Sequence, residues 1–394
     1  MKSIRDIDLK GKKVLLRTNF DVPLKGGKVF DDARIKEAIP TIRFLLARGA
    51  KVAIITHLGR PKGKDRTLSV SPVVSKLKKL LNKNIVLEND ILSVDISKKL
   101  ELLDKNKIIV FENIRFWPEE EQNNFNFAKQ IASNFDVYIN EAFPVNHRAH
   151  ATIEAITRYI PSYPGFALLS EVSGLSKAKD NPHHPFVVVI GGIKVSDKID
   201  AILNLAKKAD YILIGGGIAN TFLVEHGYKL GSSFYEKEAI GLAKDILKKV
   251  GSKIVLPIDV VCANNIKSQK TETVDINSIP SQICQAPYSI YDIGPKTLIK
   301  WEDIIKTAKT VFWAGPLGAF EYPAFSNGTK KVARMISKIT GENHETIVGG
   351  GDTTLALNTF NIKKFTHIST AGSAMLEFIA GKKLPGIDAL ERKN

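Results

Sequence analysis

Short runs in which almost every residue is apolar recur along the chain, separated by stretches whose apolar residues return every three or four positions. The first pattern suits a strand buried on both faces and the second an amphipathic helix, so their alternation predicts parallel sheets wound by crossover helices. In the first half the runs cover 13–20, 51–57, 107–112 and 136–142; in the second they cover 186–191, 211–215, 253–261, 310–314, 346–349 and 366–370. That is more than one compact open sheet usually holds. A chain of 394 residues also exceeds the usual size of a single core. Together these predict an α/β protein of two lobes, each a mostly parallel sheet flanked by helices. The break falls at 159–165 (YIPSYPG), with 181–185 (NPHHP) before the next strand. Proline and glycine interrupt both periodic patterns there, so the boundary is expected at 165 and the helical stretch 166–179 is the expected connector.

Composition narrows the class. Hydrophobic residues make up 44% and charged residues 25%, the balance of a folded globular chain rather than a disordered or fibrous one. The longest apolar runs, 186–190 and 211–214, fall far short of the ~20 residues a membrane-spanning helix requires. The opening MKSIRDIDLKGKKVLLR scatters charge where a secretory leader needs an unbroken apolar stretch, so a cytoplasmic location without membrane partners is expected. Cys262 and Cys284 lack metal-ligand spacing and are expected to be reduced core thiols. The net charge of +16 admits nucleic acid, acidic surfaces or small anions as partners. Lysines such as Lys76, Lys78 and Lys79 read as a solvated helix face, and no nucleic-acid motif accompanies them. No specific nucleic-acid partner is therefore expected.

Ligands in open α/β sheets lie beyond the carboxyl ends of the strands, where loops and helix N-termini meet. In the second half those ends carry glycine: 191–198 (GGIKVSDK), 215–217 (GGG), 313–318 (WAGPLG), 349–353 (GGGDT) and 369–373 (STAGS). Glycine permits positive φ and close approach of main-chain N–H groups, so this many such loops predict a phosphate-bearing ligand. Ser196 is expected to cap a helix, with Lys194 just before its first turn and Lys198 within it. Their charge opposes the helix dipole by about 0.3–1 kcal/mol, a sign that bound phosphate reverses. Asp352 at another helix start suits either a cap or a magnesium ligand, and the magnesium reading is preferred. A GxxxxGK[ST] loop is absent, and so is a GxGxxG in a strand–helix setting, which argues against ordinary P-loop enzymes and nicotinamide dehydrogenases. The first half instead places Arg17, Arg34, His57, Arg60, Arg115 and Arg148 at its strand ends. Planar, bidentate arginine suits phosphate and carboxylate, so these predict a cradle for a small, multiply charged anion. His147 and His150 could equally pack or cap, and stay outside the catalytic set.

In order along nearly the whole chain, RTNFDVP, HLGRP, ENIRF, NEAF, HRAH, GGIKVSDKI, GGGIANTFL, DIGPKT, WAGPLGAFE, GGGDTT, HISTAGSAMLEF and LPGIDAL resemble the motifs of the phosphoglycerate kinases. The resemblance implies two Rossmann-like lobes joined by a hinge: 1–165 plus 380–394, to which LPGIDAL returns, and 166–379. It implies that the first lobe binds 3-phosphoglycerate or 1,3-bisphosphoglycerate through Asn19, Asp21, Arg34, His57, Leu58, Gly59, Arg60, Arg115 and Arg148. The second would bind ADP or ATP with Mg2+ through Lys194, Lys198, Gly216, Glu321, Gly350, Gly351, Asp352 and Thr353, with Asp352 on the metal side. Arg34 and Lys194 would flank a phosphoryl group transferred in line, without a phosphoenzyme, in a monomeric enzyme. The chain departs from the family pattern at several positions: Asn19 and Asp21 stand exchanged, Ala314 replaces an asparagine, Ala371 and Ser373 replace glycines, Glu141 replaces an aspartate, and the connector reads SEV at 170–172. These departures motivate an alternative, a catalytically weakened ligand-binding or regulatory protein on the same scaffold.

Overall fold

The computed structural model describes residues 3–276 and 282–392. The chain divides into two compact units, Met1–Val172 with Lys383–Asn394, and Ser173–Lys382. Among the described residues the main sheet of the first has six strands: β1 (Lys13–Arg17), β2 (Lys51–Ile55), β3 (Asn84–Glu88), β4 (Lys107–Phe111), β5 (Val137–Asn140) and β6 (Ser162–Pro164). They lie in the order β3-β4-β2-β1-β5-β6, and every pairing is parallel. Alternate residues serve opposite faces: Val14, Leu16, Val52 and Ile54 enter one core, while Leu15, Ala53 and Ile55 enter the other. A sheet covered on both sides needs apolar residues at nearly every position, and this is why its strands read as unbroken apolar runs.

The second unit repeats the principle with β7 (Phe186–Ile190), β8 (Tyr211–Ile214), β9 (Ile254–Val255), β10 (Thr310–Ala314), β11 (Glu345–Gly349) and β12 (His367–Ser369). Their order, β9-β8-β7-β10-β11-β12, is wholly parallel. It is the 3-2-1-4-5-6 order of dinucleotide-binding sheets, whose direction of winding reverses between the first and fourth strands, here β7 and β10. The first unit differs by inserting its fourth strand between the second and third. The two units are thus variants of one architecture, as the strand pattern anticipated.

Several elements depart from expectation. Strands β3 and β6 carry too little apolar sequence to announce themselves; β6 lies in the stretch read as a proline-rich break, where a sheet edge tolerates Pro164. The run 253–261 is two strands, because Pro257 interrupts it: β9 stays in the main sheet, and Asp259–Ala263 joins a separate antiparallel sheet with Glu272–Asp275 and Ser289–Ile293. Cys262 and Cys284 form a disulfide rather than reduced thiols. Both fall in one small apolar cluster with Val260, Ile276 and Ile283, a proximity that spacing alone could not show. The unit boundary lies inside the connector helix Phe166–Lys179 rather than before it. The reason is local: Thr41 Oγ1 accepts from the Phe166 N–H at 3.0 Å and Glu141 Oε1 from the Ala167 N–H at 3.1 Å, tying the first turn to the first unit. At the other end of the chain, the Gly386 N–H donates to the Asn146 carbonyl at 3.0 Å and Arg392 pairs with Glu154 at 2.6 Å, so the C-terminal segment packs on the first unit.

Candidate functional site

In the first unit the strands end sooner than their apolar runs. Thr18, Asn19, Thr56 and His57 lie beyond the ends of β1 and β2 and bring polar side chains there. At their base Arg17 is fully buried. Its Nε donates to Thr152 Oγ1 at 2.9 Å, and its terminal nitrogens approach His57 Nδ1 at 3.3 and 3.4 Å and Glu120 Oε1 at 3.5 Å. Glu120 is equally buried and accepts the Thr152 N–H at 2.8 Å and hydroxyl at 2.7 Å. A guanidinium only donates, so His57 Nδ1 accepts and the proton of the neutral ring sits on Nε2. Burial, reinforced by the charges of Arg17 and Arg115, holds His57 well below the usual imidazole range. Burial and the same arginines push His150 down to about 3. Both rings are therefore neutral at pH 7, and His57 presents an N–H rather than a charge.

Around this base the expected anion ligands assemble. Arg115, 5% exposed, donates to the Gly59 carbonyl at 2.7 Å and pairs with Glu121 at 3.1 Å. Burial, then the Arg17 charge, lowers its pKa. Arg34, in the first turn of the helix Ala33–Ala47, donates to the Asp21 carbonyl, while the Asp21 carboxylate accepts the Gly59 N–H at 2.8 Å. Gly59 needs its φ of +63°, and a Cβ there would come within 2.8 Å of Leu68. Leu58 is buried and offers its carbonyl to Asn113 at 2.7 Å, so Leu58 and Gly59 shape the loop. The charges of Arg34 and Arg148 are felt at His57 and Arg115 respectively, which places both on the same cluster. Arg60, on the same loop, is exposed. Asn19 Oδ1 is buried and has no hydrogen-bond partner among the described residues, so it can accept from a ligand hydroxyl. Of the two buried arginines, Arg17 has the buried Glu120 beside it, whereas the carboxylate paired with Arg115, that of Glu121, is exposed. Desolvated like charges repel, and a multiply charged anion relieves that repulsion through charge-assisted hydrogen bonds.

The second unit handles charge differently. At the reversal between β7 and β10 the two outgoing loops are joined through the main chain: the Gly191 N–H donates to the Ala314 carbonyl at 2.9 Å and the Gly192 N–H to the Pro316 carbonyl at 2.7 Å. Gly315 has a φ of +97°, and a Cβ on it would lie 2.2 Å from the Gly191 carbonyl and 2.5 Å from Lys198 Nζ. Only glycine fits. Lys198 Nζ donates to the Gly191 carbonyl and lies 3.4 Å from that of Ala314. Burial lowers its pKa to about 8, against the opposing pull of Asp352 and Asp197. The expected Ser196 cap is not made. The helix runs Ile199–Ala206 with Lys198 at its N-cap, because Glu236 accepts both the Ser196 N–H, at 3.0 Å, and its hydroxyl. Lys194 is exposed; hydrogen bonds from Ser196 and the Lys194 charge overcome burial to hold the Glu236 carboxyl low.

Lys194, Lys198 and Asp352 line a hollow of about 610 Å³. A second hollow of about 850 Å³ shares Gly192, Ile193 and Asp352 with it and continues past Gly216, Pro316 and Leu317 to Glu321. Gly216, with φ +64°, admits close approach of the Gly192 and Pro316 carbonyls. Gly350, with φ +100°, sets up the helix Gly351–Thr359, whose exposed first turn carries Asp352. Thr353 turns inward instead: it is buried, and its hydroxyl accepts the Gly315 N–H at 2.7 Å. Among the described residues no three His, Cys, Asp or Glu side chains are grouped so that they could hold a metal ion by themselves. Asp352 thus suits magnesium that brings phosphate oxygens as its other ligands, the usual mode for that ion.

Sequence reasoning missed Glu120, Thr152 and Glu236. Each looks like an ordinary polar surface residue until the fold buries it or supplies a partner, and the sequence carries no local signal for that.

Three kinds of comparison bear on this arrangement. A family model described as phosphoglycerate kinase matches residues 4–382. The phosphoglycerate kinase of Dictyoglomus turgidum is 44% identical over 395 residues, covering 99% of this chain and 98% of that one. That of Borreliella afzelii is 42% identical and covers both chains fully. Among solved structures, phosphoglycerate kinase from Coxiella burnetii superposes with a TM-score of 0.89 at 38% identity, covering 99% of each chain. The Pyrococcus horikoshii enzyme gives 0.85 at 30%, covering 99% of this chain and 98% of that one. With a family model spanning nearly the whole sequence and relatives alike from end to end, the chain belongs to the phosphoglycerate kinase family.

Proposed function

We propose that this protein is a phosphoglycerate kinase, catalysing reversible transfer of a phosphoryl group between 1,3-bisphosphoglycerate and ADP to give 3-phosphoglycerate and ATP. The observation that carries the site assignment is the pairing of two complementary anion sites in one chain, a buried arginine cluster in one unit and a glycine-lined lysine site in the other. Arg34, His57, Arg115 and Arg148 bind the phosphoglycerate, Asn19 and Asp21 orient its hydroxyl, and Arg60 adds charge at the rim. Lys194, Lys198 and the backbone at Gly216, Gly350 and Gly351 receive the nucleotide phosphates, and Glu321 holds the ribose. Asp352 would hold magnesium arriving with the nucleotide, and the ion would supply neutralisation of phosphate charge.

Transfer is direct and in line, with no side chain taking up the phosphoryl group. Catalysis then rests on positioning and charge stabilisation, with Arg34 and Lys194 flanking the group in flight. Transfer requires the two ligands to meet with water excluded, so a hinge movement about the connector belongs to the proposal. Among the described residues no helix is long and apolar enough to cross a membrane; a monomeric, cytoplasmic enzyme is part of the proposal. A coupled assay with Mg-ATP and 3-phosphoglycerate tests the assignment, and no turnover above an Arg34→Ala control would sink it.

A further inference from the structure

Asp292 is 2% exposed at the end of the strand Ser289–Ile293 and pairs with no cation among the described residues. Its Oδ2 accepts the Gly328 N–H at 2.7 Å and its Oδ1 the Ile293 N–H at 2.9 Å. Two glycines close on the same carboxylate: a Cβ on Gly318 would lie 2.3 Å from Oδ1, and one on Gly328 2.1 Å. Gly318 sits in the first part of the loop that leaves β10, and Gly328 lies at the start of the following helix, Asn327–Ile339. One buried side chain therefore lies against both the early part and the exit of the loop. The adjoining Ala319 N–H donates to the Tyr291 carbonyl at 2.9 Å, which pins the loop to the same strand. Two residues further on stands Glu321, and Asp292 lines the same 850 Å³ hollow. Burial pushes its carboxyl up to about 7 against the pull of the Gly328 and Ile293 N–H groups, and keeping so polar a group in an apolar place calls for a structural reason beyond filling space.

We infer that Asp292 is a positioning residue for nucleotide binding, its carboxylate fixing the 315–326 loop so that Glu321 faces the nucleotide; this rests on the nucleotide reading of the second unit. A carboxylate suits the task because both oxygens accept. An amide in its place turns an NH2 group toward one of the two backbone N–H donors and loses that bond.

The experiment is calorimetric titration of the full chain with Mg-ADP and, separately, with 3-phosphoglycerate. Asp292→Asn is expected to weaken Mg-ADP at least about tenfold while leaving 3-phosphoglycerate within about twofold; in a Glu321→Ala background the same change is expected to cost only about twofold, because the two residues act as one unit. Mg-ADP affinity within about twofold of the parent, or an equal loss in both backgrounds, overturns the inference. If Asp292→Asn weakens both ligands through loss of fold, Gly318→Ala, which presses on the carboxylate from the loop side, takes its place. The same split between ligands is then expected, and an unchanged Mg-ADP affinity overturns the inference. Failure of the parent chain itself to bind Mg-ADP while binding 3-phosphoglycerate would instead remove the nucleotide site, and this inference with it.

Discussion

In the first unit positive charge is built into the interior, with Arg17 wholly buried and Arg115 nearly so, whereas in the second it is a half-buried lysine and an exposed one among glycines. The first cluster is held by side chains reaching between distant segments: Arg17 to Thr152 and Glu120, Arg115 to Gly59, Asp21 to Gly59. The second is held by backbone, with loops from β7 and β10 hydrogen-bonded to each other and side chains kept out by glycine. The contrast follows from the ligands proposed for each. A small, highly charged acid offers little surface, so charge and directional donors must supply the binding. A nucleotide brings a long phosphate chain and an apolar base, so exposed N–H groups and a roomy hollow suffice. Stored charge also makes the first site costly to disturb, and stored close contacts make the second intolerant of added atoms.

That difference can be broken most severely at Arg17. Arg17→Met leaves Glu120 buried without its cation, and a loss of about 3–5 kcal/mol in denaturant unfolding of the first unit is expected. A loss below about 1 kcal/mol would mean that the cluster does not depend on its buried pair. Next in size, Arg34→Ala is expected to remove about 2–5 kcal/mol of transition-state stabilisation, read as kcat/KM for 3-phosphoglycerate. A tenfold or smaller loss contradicts its role beside the transferring group.

Lys198 offers a test with the opposite sign. Its folded pKa, about 8, lies below its ordinary value of 10.5, so the unfolded chain binds more protons between those limits and stability rises with pH across them. Lys198→Met removes a charge that is unfavourable to bury. It should raise the melting temperature at pH 7, with the gain shrinking as pH climbs from 8 toward 10.5, while Mg-ADP affinity falls. A lower melting temperature at pH 7 would show that the lysine stabilises the empty site. The smallest effect is expected at Gly350. An added Cβ meets nothing closer than 3.5 Å there, so Gly350→Ala should cost only the strain of its positive φ, about 1–2 kcal/mol. Gly315→Ala, with the same strain and backbone at 2.2 Å, should cost clearly more, and equal losses would refute the close-packing account.

The contrast also governs what could be read from the chain. Buried parallel strands announce themselves because both faces need apolar residues, and ligand loops announce themselves through glycine at strand ends. Arginines are conspicuous as residue types, so the members of the first cluster could be listed. Their dependence on Glu120 and Thr152 could not, since a Pro-Glu-Glu-Glu helix start looks solvated until Arg17 and the Thr152 N–H are found against it. Ser196 misled for a related reason: a good capping residue was taken by Glu236, 40 positions away. The antiparallel sheet around Cys262 and Cys284 was hidden because Pro257 divides what reads as one apolar run.

Each unit is proposed to hold a different ligand, and crossed titration tests this most directly. Arg115→Met and Lys198→Met are each titrated with 3-phosphoglycerate and with Mg-ADP. Arg115→Met is predicted to weaken 3-phosphoglycerate by about a hundredfold or more and leave Mg-ADP within about twofold, and Lys198→Met to do the reverse more mildly. Loss of either ligand through the substitution in the opposite unit, with its own unit's substitution harmless, would contradict the assignment.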